Sequence, residues 1–169
     1  MAVTITPNEL YYGAPTTLTY GGTDVGGTTE APRIIIEPTY LTPDFQNAGG
    51  PVQDTKVVTG CMVRAEIMVN QFSATKIAWA LPGSEETGGT ITWTIGRVPT
   101  ASYQDLVLVG PGLDGRTMTV TIENACPESS IEIPFGKEEF TGMNMTFIGH
   151  YEAANPMDVP FTITLAGGS

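Results

Sequence analysis

The sequence predicts a mainly β fold, an antiparallel β-sandwich or half-barrel with one short flanking α-helix at about residues 73–81. Three observations support this prediction. Thr is the commonest residue, and with Val and Ile it recurs in short runs in which every second residue is apolar, as in half-buried strands. Pro-Gly, Asp-Gly and Asn-Pro pairs, which favour turns, separate these runs. One segment instead has apolar residues at helical spacing.

The two best strands lie at residues 33–40 and 57–69. In the first, Pro38 indicates an edge strand or a bulge, because proline cannot donate to a β-ladder. One face of this strand carries Ile34, Ile36 and Tyr40, and the other carries Arg33, Ile35, Glu37 and Thr39. In the second strand, one face carries Val57, Cys61, Val63, Ala65, Ile67 and Val69. The other face carries Gly60, Met62, Arg64, Glu66 and Met68.

Shorter alternating runs predict the remaining strands. They lie at residues 3–6, 18–20, 91–95, 106–109, 118–122, 131–133, 143–147 and 161–165. Together with the two long runs they give eight or more strands, enough for a sandwich.

The one helix is predicted to begin at Ser73, a favourable N-cap residue, and to end before Pro82-Gly83. Phe72 and Ile77 are spaced for a hydrophobic staple across its N-terminus. A helix this short is marginal alone, so we expect its apolar stripe to lie against the sheet. The stripe consists of Ala74, Ile77, Ala78 and Leu81.

Length and charge limit the classes of function. With 169 residues the chain can bury a substantial core, and we expect one domain over residues 1–169. Its net charge of −11 excludes the clustered Lys and Arg of a typical nucleic-acid binder. No apolar run approaches the ~20 residues of a membrane span. The first residues lack the pattern of a secretory signal, so we expect a soluble chain that is not exported and has no membrane partner.

The residues offer little catalytic chemistry. His150 is the only histidine, so neither a His-rich metal site nor a Ser-His-Asp triad has adequate support. The Gly-rich stretch 21–27 lacks the spacing of a phosphate-binding loop. Cys61 and Cys126 are expected to be free core thiols, with a single disulfide as the alternative. We therefore expect no enzyme activity, no cofactor and no metal.

The arrangement of the strands is more informative. A long irregular stretch, residues 42–55, connects the two best strands and is long enough to have a functional role. Many Thr side chains lie on strand faces. This combination favours a module that assembles edge to edge, because sheets joined into a closed ring leave no exposed edge.

The order of parts in the first half of the chain resembles that of a known family. In chain order these parts are Thr23-Asp24-Val25-Gly26-Gly27-Thr28, the strand at 33–40, the loop to Thr55, Lys56-Val57-Val58-Thr59-Gly60 and the helix at 73–81. The chain is similar to the major tail tube proteins of long, non-contractile phage tails. The similarity covers residues 20–85 well and the remainder only by strand count. The type VI secretion tube protein looks similar in fold.

The resemblance implies a structural virion protein of the phage tail, assembled in the host cytoplasm. Six subunits would form a ring, and stacked rings would enclose a channel that conducts DNA without binding it. The implied partners are further copies of the chain and the tape-measure, tail terminator and baseplate proteins. An N-terminal arm at 1–12 would contact a neighbour. The implied channel-lining residues are Arg33, Glu37, Arg64 and Glu66, and the implied ring-to-ring contacts are Pro43, Asp44, Phe45 and Asp54.

Other classes of function remain open at this point. A capsid decoration protein or a tail-fibre domain would also be a β-sandwich of the virion. A non-catalytic module that binds carbohydrate or protein is a further alternative. Electron microscopy separates these classes, because only a tube subunit forms rings or hollow tubes.

Overall fold

The computed structural model describes residues 15–28, 30–43, 52–71, 73–112, 115–128, 130–131 and 142–167. Within these ranges the chain is mainly β, as predicted, with antiparallel sheets and one α-helix. The strands are β1 (Thr17–Tyr20), β2 (Thr23–Asp24), β3 (Arg33–Leu41), β4 (Val57–Val69), β5 (Ser84–Thr87), β6 (Thr90–Trp93), β7 (Gln104–Pro111), β8 (Thr117–Pro127), β9 (Met143–Gly149) and β10 (Phe161–Ala166), and the helix is α1 (Ala74–Ala80).

Eight strands form one open sheet in the order β2-β1-β7-β8-β9-β4-β3, and β10 also pairs with β8. The long strand β8 therefore has two partners along one edge: β10 pairs with residues 117–122, and β9 with residues 125–127. Between these two stretches Asn124 has a φ of +48° and donates its backbone N–H to Asp105 Oδ1 at 3.2 Å. The β7–β8 register shifts at the same level. A bulge of this kind bends the strand that carries it. The open antiparallel sheet is consistent with the predicted sandwich or half-barrel.

The hydrophobic core is formed by buried side chains of β1, β4, β7, β8 and β9, together with Val25 and Ala80. The buried residues of β1, β7, β9 and β4 alternate along each strand, as the period of two requires. In β8 residues 120 and 122 alternate in this way, but residues 125–127 are buried consecutively. The ring of Tyr20 on β1 lies 5.0 Å from that of Phe147 on β9, and 5.5 Å from that of Trp79 on α1. Tyr20 thus connects strands distant in the sheet order with the helix.

The predicted faces of β3 and β4 are confirmed over most of their length. Ile34 pairs with Ala65, and Ile36 with Val63, on the core side. Pro38 lies on an edge strand and close to a bulge between Thr39 and Tyr40, as its presence predicted.

The prediction was wrong for the first residues of β4. At the bulge Thr39 pairs with Gly60 but Tyr40 pairs with Val58, so Thr59 is the extra residue and the alternation reverses. Val57, predicted to share the face of Val63, lies beyond this reversal and is exposed. A single extra residue in one strand moves every preceding side chain to the opposite face.

The helix forms where it was predicted. Ser73 is its N-cap, and Ser73 Oγ accepts a hydrogen bond from the backbone N–H of Lys76 at 3.2 Å. The C-cap is Leu81, and Gly83 with a φ of +85° turns the chain away. Phe72 of the predicted staple lies outside the described residues.

Residues 84–93 differ from the prediction. The expected strand at 91–95 ends at Trp93 and pairs only with β5, in a two-stranded sheet of its own. Gly88 and Gly89, both with positive φ, form its two-residue turn, which suits the twist of a hairpin. In the expected strand 131–133, Ile131 is not in a strand, and the other residues lie outside the described ones, as does the expected strand 3–6. No helix among the described residues is long and apolar enough to cross a membrane.

Candidate functional surface

The four implied channel-lining residues come together on one face of the sheet. Since Ile34 and Ile36 face the core, the residues that alternate with them on β3 face outward. Arg33 pairs in register with Glu66, and Ile35 with Arg64, so both strands contribute to this outer face. We call Arg33, Glu37, Arg64 and Glu66 the charged face. They are the only charged residues in the strands β3, β4 and β9.

Within the charged face, anions and cations alternate in space. Arg33 Nη1 lies 3.5 Å from Glu66 Oε2, and Arg64 Nε lies 3.9 Å from Glu66 Oε1. Arg64 Nη2 lies 3.8 Å from Glu37 Oε1. Three ion pairs therefore link these side chains in the spatial order Arg33, Glu66, Arg64, Glu37, and the group has no net charge.

The side chains of these ion pairs are partly accessible to solvent. The Arg33 side chain is 73% exposed, and even that of Glu66 retains 34% of its exposure. Water and salt screen such pairs, so each contributes only about 0–1 kcal/mol to stability. The charged face is therefore a surface feature and not a structural anchor.

The two described ring-to-ring candidates, Pro43 and Asp54, flank the last paired residues of β3 and β4, Leu41 and Val57. We call residues 39–41 of β3 and 57–60 of β4 the ribbon; it contains the bulge at Thr59. Lys56 Nζ lies 3.7 Å above the centroid of the Tyr40 ring, a cation–π contact. The ribbon carries apolar side chains that are about half exposed, namely Tyr40, Leu41, Val57 and Val58.

The structure describes two of the four ring-to-ring candidates. Pro43 lies two residues after Leu41, the last residue of β3. Asp54 lies in a turn before β4 with a φ of +65°, where Thr55 Oγ1 donates to Val52 O at 2.7 Å. Both lie near the ribbon. Asp44 and Phe45 lie outside the described residues, as does the N-terminal arm at 1–12.

A second apolar strand surface lies on β10. This strand pairs with β8 on one side, and Ile163 and Leu165 are 50% and 62% exposed. Sequence analysis predicted the strand but expected alternating burial, whereas all residues after Phe161 are exposed. The ribbon and β10 are thus two different strand surfaces on which apolar side chains face solvent.

A cleft of about 640 Å³ lies between residues 97–103 and 150–154. His150 borders it: Nδ1 is 2.9 Å from Ile148 O, and Nε2 is 3.4 Å from Glu128 Oε1. Its ring meets that of Tyr103 edge-on at 5.1 Å. Both ring nitrogens therefore have partners within the fold. Sequence reasoning missed this cleft, because its walls come from segments some 50 residues apart that no pattern connects.

The two cysteines are free thiols, as predicted, but only Cys126 lies in the core. Cys61 is half-buried because it lies next to the ribbon, in the half of β4 that has no fully buried residue. Burial, and to a lesser degree the Glu128 carboxylate, raises the pKa of the Cys126 thiol to about 11. In the part of the chain that the structure describes, no three His, Cys, Asp or Glu side chains group as metal ligands would.

Tyr20 is buried in the core, and its hydroxyl is hydrogen-bonded there. Its hydroxyl lies 2.7 Å from Ser102 O and 3.1 Å from Ala125 O and donates its proton to this pair of carbonyls. Burial is the main reason why the pKa of Tyr20 lies well above its ordinary value. The group is held in its neutral form and has a structural role.

No protein-family model matches this chain, and no match is found among curated proteins.

Proposed function

We propose that this chain is a structural subunit that associates with copies of itself into rings, and that the stacked rings form the tail tube of a bacteriophage, through which DNA passes. The ring is proposed to be hexameric, as the resemblance of the sequence implies. In this proposal the chain has no catalytic role. It acts in the virion, after assembly in the host cytoplasm.

The observation that carries the proposal is the pair of unlike apolar strand surfaces. Soluble monomers normally protect strand edges with charge, bulges or covering segments, because exposed apolar edges promote association. Here the ribbon and β10 both carry half-exposed apolar side chains. Two different surfaces that complement each other make a heterologous contact, and such contacts close into rings or extend as filaments.

The charged face supports the second part of the proposal. A conduit for DNA must not retain phosphate, since weak contacts repeated in every ring would add up along the tube. The chain has a net charge of −11, and the two arginines of this face are compensated by carboxylates. A surface of this kind has little attraction for DNA.

The remaining partners follow from the resemblance alone. A tube needs a factor that sets its length and proteins that close its ends, so we propose contacts with tape-measure, tail terminator and baseplate proteins. Pro43 and Asp54, beside the ribbon, are the described candidates for contact with the adjacent ring.

Electron microscopy of the concentrated, purified chain tests the proposal. We expect rings or hollow tubes with a central channel, and sedimentation should show assemblies whose size rises with concentration. A chain that remains monomeric at high concentration in both measurements would contradict the proposal.

One observation favours a second candidate, a non-catalytic binding module. The cleft beside His150 combines an arginine, aromatic rings and an amide, Arg97, Tyr103, Tyr151 and Asn124, which suits a polar ligand such as a carbohydrate. Monomers in the microscope together with saturable binding of a glycan would favour this candidate.

A further inference from the structure

We infer that Glu37 and Glu66 are guard carboxylates: they occupy the guanidinium groups of Arg33 and Arg64 and so prevent the charged face from binding nucleic-acid phosphate. This inference rests on the proposed function, because it assumes that DNA passes over this face. It assigns a role to individual residues, beyond a general repulsion between an acidic protein and DNA.

The geometry places Glu66 at the centre of the network. One of its oxygens faces Arg33 Nη1 at 3.5 Å and the other faces Arg64 Nε at 3.9 Å. Arg64 Nε is inaccessible to water and has no hydrogen-bond partner among the described residues. The Arg64 guanidinium therefore depends on Glu66 and Glu37 for compensation of its charge.

Fold stability does not explain why these carboxylates are present. The side chains of the network retain between 34% and 73% of their exposure, and pairs of this kind contribute little to stability. Neutral side chains would fit the outer face equally well, as Thr146 and Ile148 do in the adjacent strand β9. What the carboxylates do change is the charge that the face presents to a passing polyanion.

An unpaired arginine on this face would bind DNA well. The guanidinium fork fits two phosphate oxygens, and a duplex offers about one negative charge per 1.7 Å of its axis. With six subunits in each ring, even weak contacts would be repeated many times along the DNA. A guanidinium that already faces a carboxylate loses the attraction of that carboxylate when it turns to a phosphate. The free energy gained from the phosphate contact is therefore largely cancelled.

The test compares three variants coupled to beads at equal density, so that display is multivalent whether or not rings form. The guard variant is Glu37→Gln/Glu66→Gln. The matched control is Glu85→Gln/Glu86→Gln on the separate β5–β6 hairpin, which changes the net charge equally. The third variant adds Arg33→Gln/Arg64→Gln to the guard variant. The probe is a fluorescent DNA duplex at low ionic strength.

We expect the guard variant to retain at least about tenfold more duplex than the control, with a logarithmic salt slope of about −1.8 for each chain that contacts the duplex through both arginines. The third variant should lose this retention. Unfolding temperatures should agree closely among the variants, which excludes misfolding as the cause.

Equal retention by the guard variant and its control would overturn the inference, as would retention that survives removal of both arginines. The proposed function is judged separately, by rings and tubes of the unmodified chain. Retention by the guard variant without any rings would support the guard role of the carboxylates and contradict the tube.

Discussion

The phenol of Tyr151 binds both backbone groups of Cys61: it accepts a hydrogen bond from the Cys61 N–H at 2.7 Å and donates one to the Cys61 carbonyl at 3.0 Å. Strand β9 pairs with β4 only from Arg64 onward and ends at Gly149. Two residues later the Tyr151 side chain takes the place of the absent strand. It thereby limits the unpaired edge of β4 to the ribbon.

Replacing Tyr151 by Phe removes both hydrogen bonds and retains the ring. Since the site is partly exposed, water can replace the hydroxyl, and we expect a loss of about 0.5–1.5 kcal/mol in the free energy of unfolding. Amide exchange at Cys61 should accelerate as well. The matched control is Tyr40→Phe, which removes the hydroxyl of an exposed tyrosine on β3. Unchanged exchange at Cys61 would show that the phenol does not close this edge.

A methyl group at position 149 should destabilise the fold. A Cβ at Gly149 would lie 2.6 Å from Val63 Cγ1 on β4 and 2.8 Å from Ile122 Cγ2 on β8, both of them core side chains. We expect Gly149→Ala to lower the free energy of unfolding by about 1–3 kcal/mol, because packed cores resist added volume. Gly96→Ala, where a Cβ would meet no atom within 4 Å, is the control. Urea unfolding of both variants measures the difference, and equal stabilities would contradict the packing at Gly149.

Because the Cys126 thiol is buried, the free energy of unfolding should change with pH in the alkaline range. Its pKa is about 11 in the folded chain, against an ordinary thiol value of about 8.5. Below about 8.5 the thiol is protonated in both states. Above that pH the unfolded chain loses the proton first, so the free energy of unfolding should fall between about pH 8.5 and 11. The same Cys126 pKa should also slow its alkylation relative to that of the less buried Cys61.

Urea unfolding at pH 7.5 and at about pH 10 measures this effect, with Cys126→Ala as the comparison. The alanine variant should be less stable at neutral pH because it leaves a small cavity, but its stability should decline less with pH. Parallel pH profiles for the two proteins would mean that the thiol is not responsible.

A charge on the apolar face of β10 should prevent assembly. Leu165→Glu places a carboxylate among exposed apolar side chains that we propose are covered by a neighbouring subunit. Because Leu165 is exposed in the monomer, the variant should fold normally and yet form no rings in the microscope. Thr164→Glu introduces the same charge on the opposite face of the strand and serves as the control. Normal rings from Leu165→Glu would exclude this face from the ring contact.

Local patterns were sufficient for several parts of the fold. The Ser73 cap and the i, i+3, i+4 spacing predicted α1 within a residue of its observed ends, since both signals act over one or two turns. Pro38 predicted the edge position of β3 because proline removes a hydrogen-bond donor. Such effects are local and do not depend on the rest of the chain.

Other features depend on residues that are far apart in the sequence. The extra residue Thr59 reverses the faces of the ribbon, and nothing in the run of 57–60 indicates it. The bulge at Asn124 relies on a hydrogen bond to Asp105, 19 residues earlier. Likewise, the hydroxyl of Tyr151 reaches Cys61 over 90 residues. Pairings across such distances are invisible to a pattern of period two.

The amino-acid order alone determined that this chain is built of antiparallel strands with one capped helix, and that Arg33, Glu37, Arg64 and Glu66 face away from the core. These properties follow from side-chain alternation and backbone chemistry, which act between near neighbours. Only the tertiary structure decided that the four charges form a connected network and that the ribbon and β10 expose apolar side chains to solvent. Strand register and the course of a bent sheet fix those contacts, and both arise from the packing of the whole chain.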